Sequence, residues 1–181
     1  VSDISVILEN FKLKEITMVN KVAWITGAGS GIGEASAIKL SEEGFIIVLS
    51  GRTKEALDTV ASKCEGQISV KPLDVSNSED VKGVFQNIIS DYGRIDVLVA
   101  SAGLNAKNRN WHNVSEEDFD QVIKIDLNGV FYTNRLVLEK MKEQREGLII
   151  NISSWAGKYV TTLTGPAYTA AKHGVNALTE G

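Results

Sequence analysis

Thr26-Gly27-Ala28-Gly29-Ser30-Gly31-Ile32-Gly33 decides the fold. It follows the β-branched, apolar run Lys21–Thr26 (KVAWIT) and leads into Ile32–Glu43, whose spacing predicts a helix with Ile32, Ala35 and Leu40 on one face. Glycines at such a turn permit positive φ and let the backbone approach a pyrophosphate resting on the helix N-terminus. Gly33 would let the helix pack close to the strand. The spacing is T-G-x-x-x-G-x-G rather than G-x-G-x-x-G, and no Lys-Ser/Thr follows the last glycine, so the turn is not a Walker A loop. Gly27, Ser30, Gly31, Ile32 and Gly33 are the candidate phosphate-binding positions.

Outward from this turn the same unit recurs. Phe45–Leu49, Gln67–Leu73, Ile95–Ala100 and Leu148–Ile152 read as strands. Lys54–Lys63 and Ser78–Asp91 read as helices, the second with Val81, Val84, Phe85 and Ile88 at core spacing. Ser115-Glu116-Glu117-Asp118 has the form of a helix N-terminus and predicts a helix to about Glu139. Pro166 opens a final helix that carries Ala170, Val175 and Leu178. Apolar strands alternating with helices predict a parallel sheet covered on both faces: a doubly wound α/β domain of Rossmann-like, three-layer α/β/α architecture. The expected domain is 18–181. Met18 would make a natural initiator, so 1–17 is expected to be an N-terminal arm or leader. The chain stops at Gly181, which would leave Leu148–Ile152 as an apolar edge, so the sheet is expected to lack its C-terminal strands.

The 181 residues carry 19 Lys+Arg against 23 Asp+Glu, a formal charge of −4, with 43% apolar residues and 2 prolines. That balance predicts a packed core and argues against nucleic acid as a partner. The apolar runs are too short to span a bilayer, and the start lacks a signal-peptide pattern, so the expected location is the cytoplasm, away from membranes. Cys64 is the single cysteine and rules out an intrachain disulfide. His112 and His173 are isolated, which argues against a metal site. The absence of a G-x-S-x-G elbow weakens a serine-hydrolase reading. Trp111 and His112 lie in the polar loop after the fourth strand, placed either to touch substrate or simply on the surface.

Two further signals concern chemistry. The second strand ends Leu49-Ser50-Gly51-Arg52-Thr53, with no carboxylate to meet a ribose 2′-hydroxyl. The Arg52 guanidinium instead suits a 2′-phosphate, and the Ser30 hydroxyl can join it, so NADPH is expected in preference to NADH. Tyr168 and Lys172 stand four apart on one helix face. A phenol with a pKa of about 10 becomes a usable acid–base when a fixed Lys⁺ favours its phenolate. Asn151-Ile152-Ser153-Ser154 ends the fifth strand and brings a hydroxyl to the carboxyl edge of the sheet, where ligands sit.

TGAGSGIG, Asp74-Val75, YGRIDVLVASAG, NISSWAG and YTAAK, in this order over roughly 19–181, resemble the short-chain dehydrogenase/reductase family. The resemblance implies an NADP-dependent oxidoreductase that interconverts a carbonyl and an alcohol, similar to 3-oxoacyl-thioester and carbonyl reductases. It implies Ser154, rather than Ser153, as the residue polarising the substrate oxygen, Tyr168 as the acid–base, and Lys172 on the nicotinamide ribose. It also implies Asp74 and Val75 near the adenine and Gly103 beside the nicotinamide ribose. Family members pair through their last two helices, where Gly129, Ala170, Ala171 and Gly174 are small, so a homodimer or homotetramer is expected. The partner otherwise is a small-molecule carbonyl or alcohol.

Three features depart from the family pattern. Ala100-Ser101-Ala102-Gly103 lacks the Asn side chains that stabilise the strand end. Asp126 occupies the position of the family's fourth catalytic residue, an Asn; its backbone carbonyl can still hold a water, while its carboxylate adds charge near Lys172. Asn128 is two residues away. The family's continuation beyond the YxxxK helix is absent. A non-catalytic dinucleotide-binding sensor or scaffold, or an inactive fragment, is the alternative reading.

Overall fold

A computed structural model describes residues 20–160 and 162–181; the segment read as an arm or leader, 1–17, lies outside them. The strands are β1 (Val22–Thr26), β2 (Ile46–Ser50), β3 (Ile68–Val70), β4 (Val97–Ala100) and β5 (Leu148–Asn151). The helices are α1 (Gly31–Glu42), α2 (Lys54–Ala61), α3 (Ser78–Tyr92), α4 (Glu116–Ile123), α5 (Gly129–Gln144) and α6 (Pro166–Glu180). All pairings are parallel, in the order β3-β2-β1-β4-β5. The chain therefore winds outward from β1 in both directions and leaves a switch point between β1 and β4. The register places Thr26 beside Ser50 and Ala100, and Ala100 beside Asn151, so these carboxyl ends form one row.

Alternation within β1 supplies both faces of the core. Val22 and Trp24 pack with Val81, Ile88, Val137 and Met141 of α3 and α5. Ala23 and Ile25 pack with Ala37, Leu57 and Val60 of α1 and α2. The buried Trp24 indole donates to the Ser50 hydroxyl at 2.9 Å, so its polar edge is satisfied.

The helix after the glycine turn differs from expectation. Its buried row is Gly33, Ala37 and Ser41, while Ile32 is 58% exposed and Ala35 is exposed. A Cβ on Gly33 would collide with the Gly27 carbonyl oxygen, so α1 lies too near the sheet for large side chains. In α6 the buried residues include Ala167, Ala171 and Val175, whereas Ala170 and Leu178 are exposed. β3 is shorter than its sequence suggested, although Lys71 and Leu73 amides still donate to Leu49 and Gly51 carbonyls at 2.9 Å. The long helix expected from Ser115 begins as read, with the Ser115 hydroxyl accepting from the Asp118 amide at 3.0 Å. It is interrupted by a π-helical turn, Lys124–Asn128, before continuing as α5. Such turns cluster at functional sites because they redirect side chains within a helix.

β5 forms one edge of the sheet, with Leu148 and Ile150 55% and 39% exposed. Three of the four small residues read as a pairing surface are used internally. A Cβ on Gly129 would meet Val75 at 2.8 Å, one on Gly174 would meet Leu127 at 2.8 Å, and Ala171 is buried.

Candidate functional site

Gly27 takes φ +64, and a Cβ there would lie 2.7 Å from Ala102 Cα; only glycine lets β1 turn this tightly against the end of β4. The Ser30 hydroxyl makes no capping bond to α1, which leaves the first-turn amides without a side-chain partner. Gly31, at φ +57, faces open space. Two clefts of about 300 and 600 Å³ meet at Gly27, Ser30 and Gly103 above the switch point. The smaller is walled by Arg52, Thr53 and Val75, the larger by Gly31, Ile32, Asp126, Tyr168 and Lys172.

Twelve of the thirteen sequence-predicted residues are distributed as follows. Gly27, Ser30, Gly31, Ile32, Arg52, Val75, Gly103, Asp126, Tyr168 and Lys172 line one cleft or both. Gly33 supports the turn from beneath. Asp74 does not line the cleft; its Oδ1 accepts from the Ser76 amide and hydroxyl at 2.9 and 2.8 Å and closes the turn that presents Val75. The thirteenth, Ser154, stands just beyond the cleft wall formed by Ser153. The strand end that lacks its Asn side chains is held otherwise: Thr26 Oγ1 accepts from the Ser101 and Ala102 amides at 3.2 and 3.4 Å.

Lys172 is 4% exposed. Its Nζ donates to the Ile152 carbonyl at 3.0 Å, lies 3.4 Å from Asp126 Oδ2 and stands 5.4 Å from the Tyr168 ring centroid. α6 puts phenol and ammonium on one face, and Ile152, the residue that follows β5, supplies the carbonyl that fixes the ammonium. The π-helical turn brings Asp126 to the pair. Asp126 is fully buried, and its Oδ1 accepts from the Leu104 amide at 2.8 Å. Its Oδ2 has no hydrogen-bond partner among the described residues. Burial pushes this carboxyl above the ordinary range, against the pull of the Leu104 amide and the Lys172 charge.

The two serines differ in what their hydroxyls do. Ser153 Oγ donates to the Lys172 carbonyl at 3.4 Å, which commits its proton. Ser154 Oγ accepts from the Ala156 amide at 3.1 Å, capping a short 3₁₀ turn, Trp155–Gly157, and among the described residues its proton has no acceptor.

Arg109 went unnoticed in the sequence, and nothing in its neighbours signalled it. It lines the larger cleft and also an adjoining apolar cavity of about 610 Å³ bordered by Trp111, Phe119, Val160 and His173. Two loops distant in sequence create that wall. Asn105 Nδ2 donates to the Thr164 carbonyl at 3.1 Å, and Gly165, at φ +76, abuts the Arg109 backbone. His173 Nδ1 pairs with the Thr169 carbonyl at 2.9 Å and faces this cavity rather than Lys172's side of α6. His112 lines neither. Cys64 is half-buried, and desolvation raises its thiol pKa. Among the described residues, no three His, Cys, Asp or Glu side chains gather as a metal site.

A family model described as short chain dehydrogenase matches residues 21–181. An uncharacterized oxidoreductase of Staphylococcus aureus is 38% identical over 167 residues, covering 91% of this chain and 71% of that protein. The 3-oxoacyl-[acyl-carrier-protein] reductase of Thermotoga maritima is 37% identical over 163 residues, covering 88% of this chain and 65% of that one. Among solved structures, a metagenomic short-chain oxidoreductase in complex with NADP superposes with a TM-score of 0.83 at 34% identity, covering 90% of this chain and 75% of that chain. The chain thus spans about two thirds to three quarters of the length of these relatives.

Proposed function

Because the chain belongs to the short-chain dehydrogenase family and is an oxidoreductase of that family, we propose that it uses NADP to interconvert a ketone or aldehyde and an alcohol. The observation that carries this reading is the Tyr168–Lys172 pair on the wall of the larger cleft, with Lys172 Nζ fixed by the Ile152 carbonyl.

The residues present fit a dinucleotide. The uncapped first turn of α1 suits a pyrophosphate, and Arg52, beside Ser30 and Thr53 with no carboxylate in the same cleft, suits a 2′-phosphate. Bound NADPH would supply hydride to the carbonyl carbon. Tyr168 gives its phenolic proton to the carbonyl oxygen as that oxygen gains charge, and takes it back in alcohol oxidation. The free Ser154 hydroxyl donates to the same oxygen and holds it. Lys172 meets the ribose and supplies the positive charge that makes the phenolate accessible. Asp126 adjoins Lys172 on the wall of the same cleft.

The substrate is a small carbonyl or alcohol, with 3-oxoacyl thioesters the class suggested by the Thermotoga relative. No helix among the described residues is long and apolar enough to cross a membrane. A cytoplasmic homodimer or homotetramer is the expected form.

Fluorescence titration with NADPH and NADH, followed by carbonyl reduction assays on wild type and Tyr168→Phe, tests the reading. We expect the variant to bind NADPH as wild type does while its turnover falls by about a hundredfold or more. Undiminished turnover in the variant would remove Tyr168 from the chemistry, and a chain that binds neither cofactor would sink the reading.

A further inference from the structure

Asp126 is a fully buried carboxyl with one oxygen 3.4 Å from Lys172 Nζ and no hydrogen bond to that oxygen among the described residues. A neutral amide would serve the Leu104 amide equally well through its carbonyl oxygen, so the local architecture does not require a charge there. The charge acts electrostatically instead. Lys172 favours the phenolate of Tyr168 only as far as its positive charge is uncompensated. An anion 3.4 Å from that ammonium, out of water, cancels part of its field.

Resting on the proposed Tyr168 chemistry, we propose that Asp126 is a positioning residue that offsets the charge of Lys172, keeps Tyr168 protonated to higher pH, and so biases the site toward proton donation and carbonyl reduction. Among the described residues the groups facing this cluster are few. α6 contributes Lys172 and Tyr168, and the loop after β4 contributes the Leu104 amide and, on the cleft wall, Arg109. Lys124, on the same π-helical turn, is exposed to solvent, and His173 faces the neighbouring cavity. β5 and the segment after it contribute the Ile152 carbonyl and the Ser153 hydroxyl, neither of which is charged. The balance at Tyr168 therefore depends on Lys172 and Asp126, with Arg109 a more exposed third charge that water screens.

The consequence concerns proton bookkeeping. In reduction one proton leaves the Tyr168 oxygen for the substrate oxygen, and solvent restores it. In oxidation the phenolate must exist before it can accept the alcohol proton. Raising the phenol's pKa leaves reduction near neutrality intact and shifts oxidation to more alkaline pH.

The test is the ultraviolet phenolate titration of Tyr168 in the whole 181-residue chain, obtained by subtracting the titration of Tyr168→Phe. It is measured in wild type and in Asp126→Asn, with Asp126→Ser as a second charge-removing variant. We expect the Tyr168 midpoint to fall by about half a pH unit to one unit in both variants. Where the chain turns over, the acid limb of alcohol oxidation moves down with it. An unchanged or raised midpoint overturns the inference. The titration needs no cofactor, so it decides the role of Asp126 even if the proposed oxidoreductase chemistry fails on the NADPH assays.

Discussion

At the scale of the residue, the proposed function gives Arg52 and Asp126 one separable task each. The Arg52 guanidinium borders the smaller cleft together with Ser30 and Thr53. Replacing it with Ala should weaken NADPH binding by about tenfold to a hundredfold, as loss of a charge-assisted contact does. NADH, which lacks the 2′-phosphate, should bind as before. Parallel fluorescence titrations check this, and an equal loss for both cofactors would remove Arg52 from phosphate recognition. Asp126 also has a stability signature. Burial raises its pKa from the ordinary 3.8, so the folded chain holds the proton more tightly than the unfolded chain. Its contribution is fully present below the unfolded value and is lost as pH rises through the folded one. Asp126→Asn should therefore melt at or above the wild-type temperature at pH 7. The gap should close as pH falls below 3.8, which thermal melts at several pH values will show. The pair Tyr168 and Lys172 was legible because four residues along a helix is one face. The separate hydroxyl tasks of Ser153 and Ser154 were not, because their partners, Lys172 and Ala156, are set by the fold of the loop.

At the scale of elements, the glycine turn and α1 are the tightest fit. A Cβ on Gly33 would enter contact with the Gly27 carbonyl, whose own position is fixed by the approach of Gly27 to Ala102. Gly33→Ala should thus displace α1 and cost about 1–3 kcal/mol. NADPH affinity should fall in the same variant, because the first-turn amides move with the helix; calorimetry and titration on one sample compare the two effects. The sequence showed that a helix follows the turn but misassigned its buried face. Hydrophobic spacing favoured Ile32, Ala35 and Leu40, of which Leu40 packs half-buried against the core, whereas distance to the sheet set the fully buried row as Gly33, Ala37 and Ser41. The π-helical turn at Lys124–Asn128 carries no propensity signal, since widening one turn depends on what that turn packs against. It nevertheless carries Asp126 to Lys172.

On the scale of the whole molecule, β5 presents Leu148 and Ile150 along an open edge next to a groove lined by Leu138, Met141 and Ile149. An apolar edge of this kind favours association. Ile150→Lys should raise the soluble, monodisperse fraction measured by light scattering and leave NADPH affinity unchanged, since Ile150 lines neither cleft of the site. Of the small residues of α5 and α6 expected to support pairing, Gly129 and Gly174 pack against Val75 and Leu127 within the chain, while Ala170 is exposed. What the sequence determined by itself is local and periodic: a strand, a glycine turn and a helix in repeated order, an arginine where a carboxylate would discriminate against phosphate, and a phenol and an ammonium on one helical face. The tertiary structure alone decided the rest. It aligned Thr26, Ser50, Ala100 and Asn151 in one row, joined two distant loops around Arg109, and buried Asp126 against Lys172. Those outcomes depend on close packing and desolvation between segments far apart in the chain, which no local pattern of residues records.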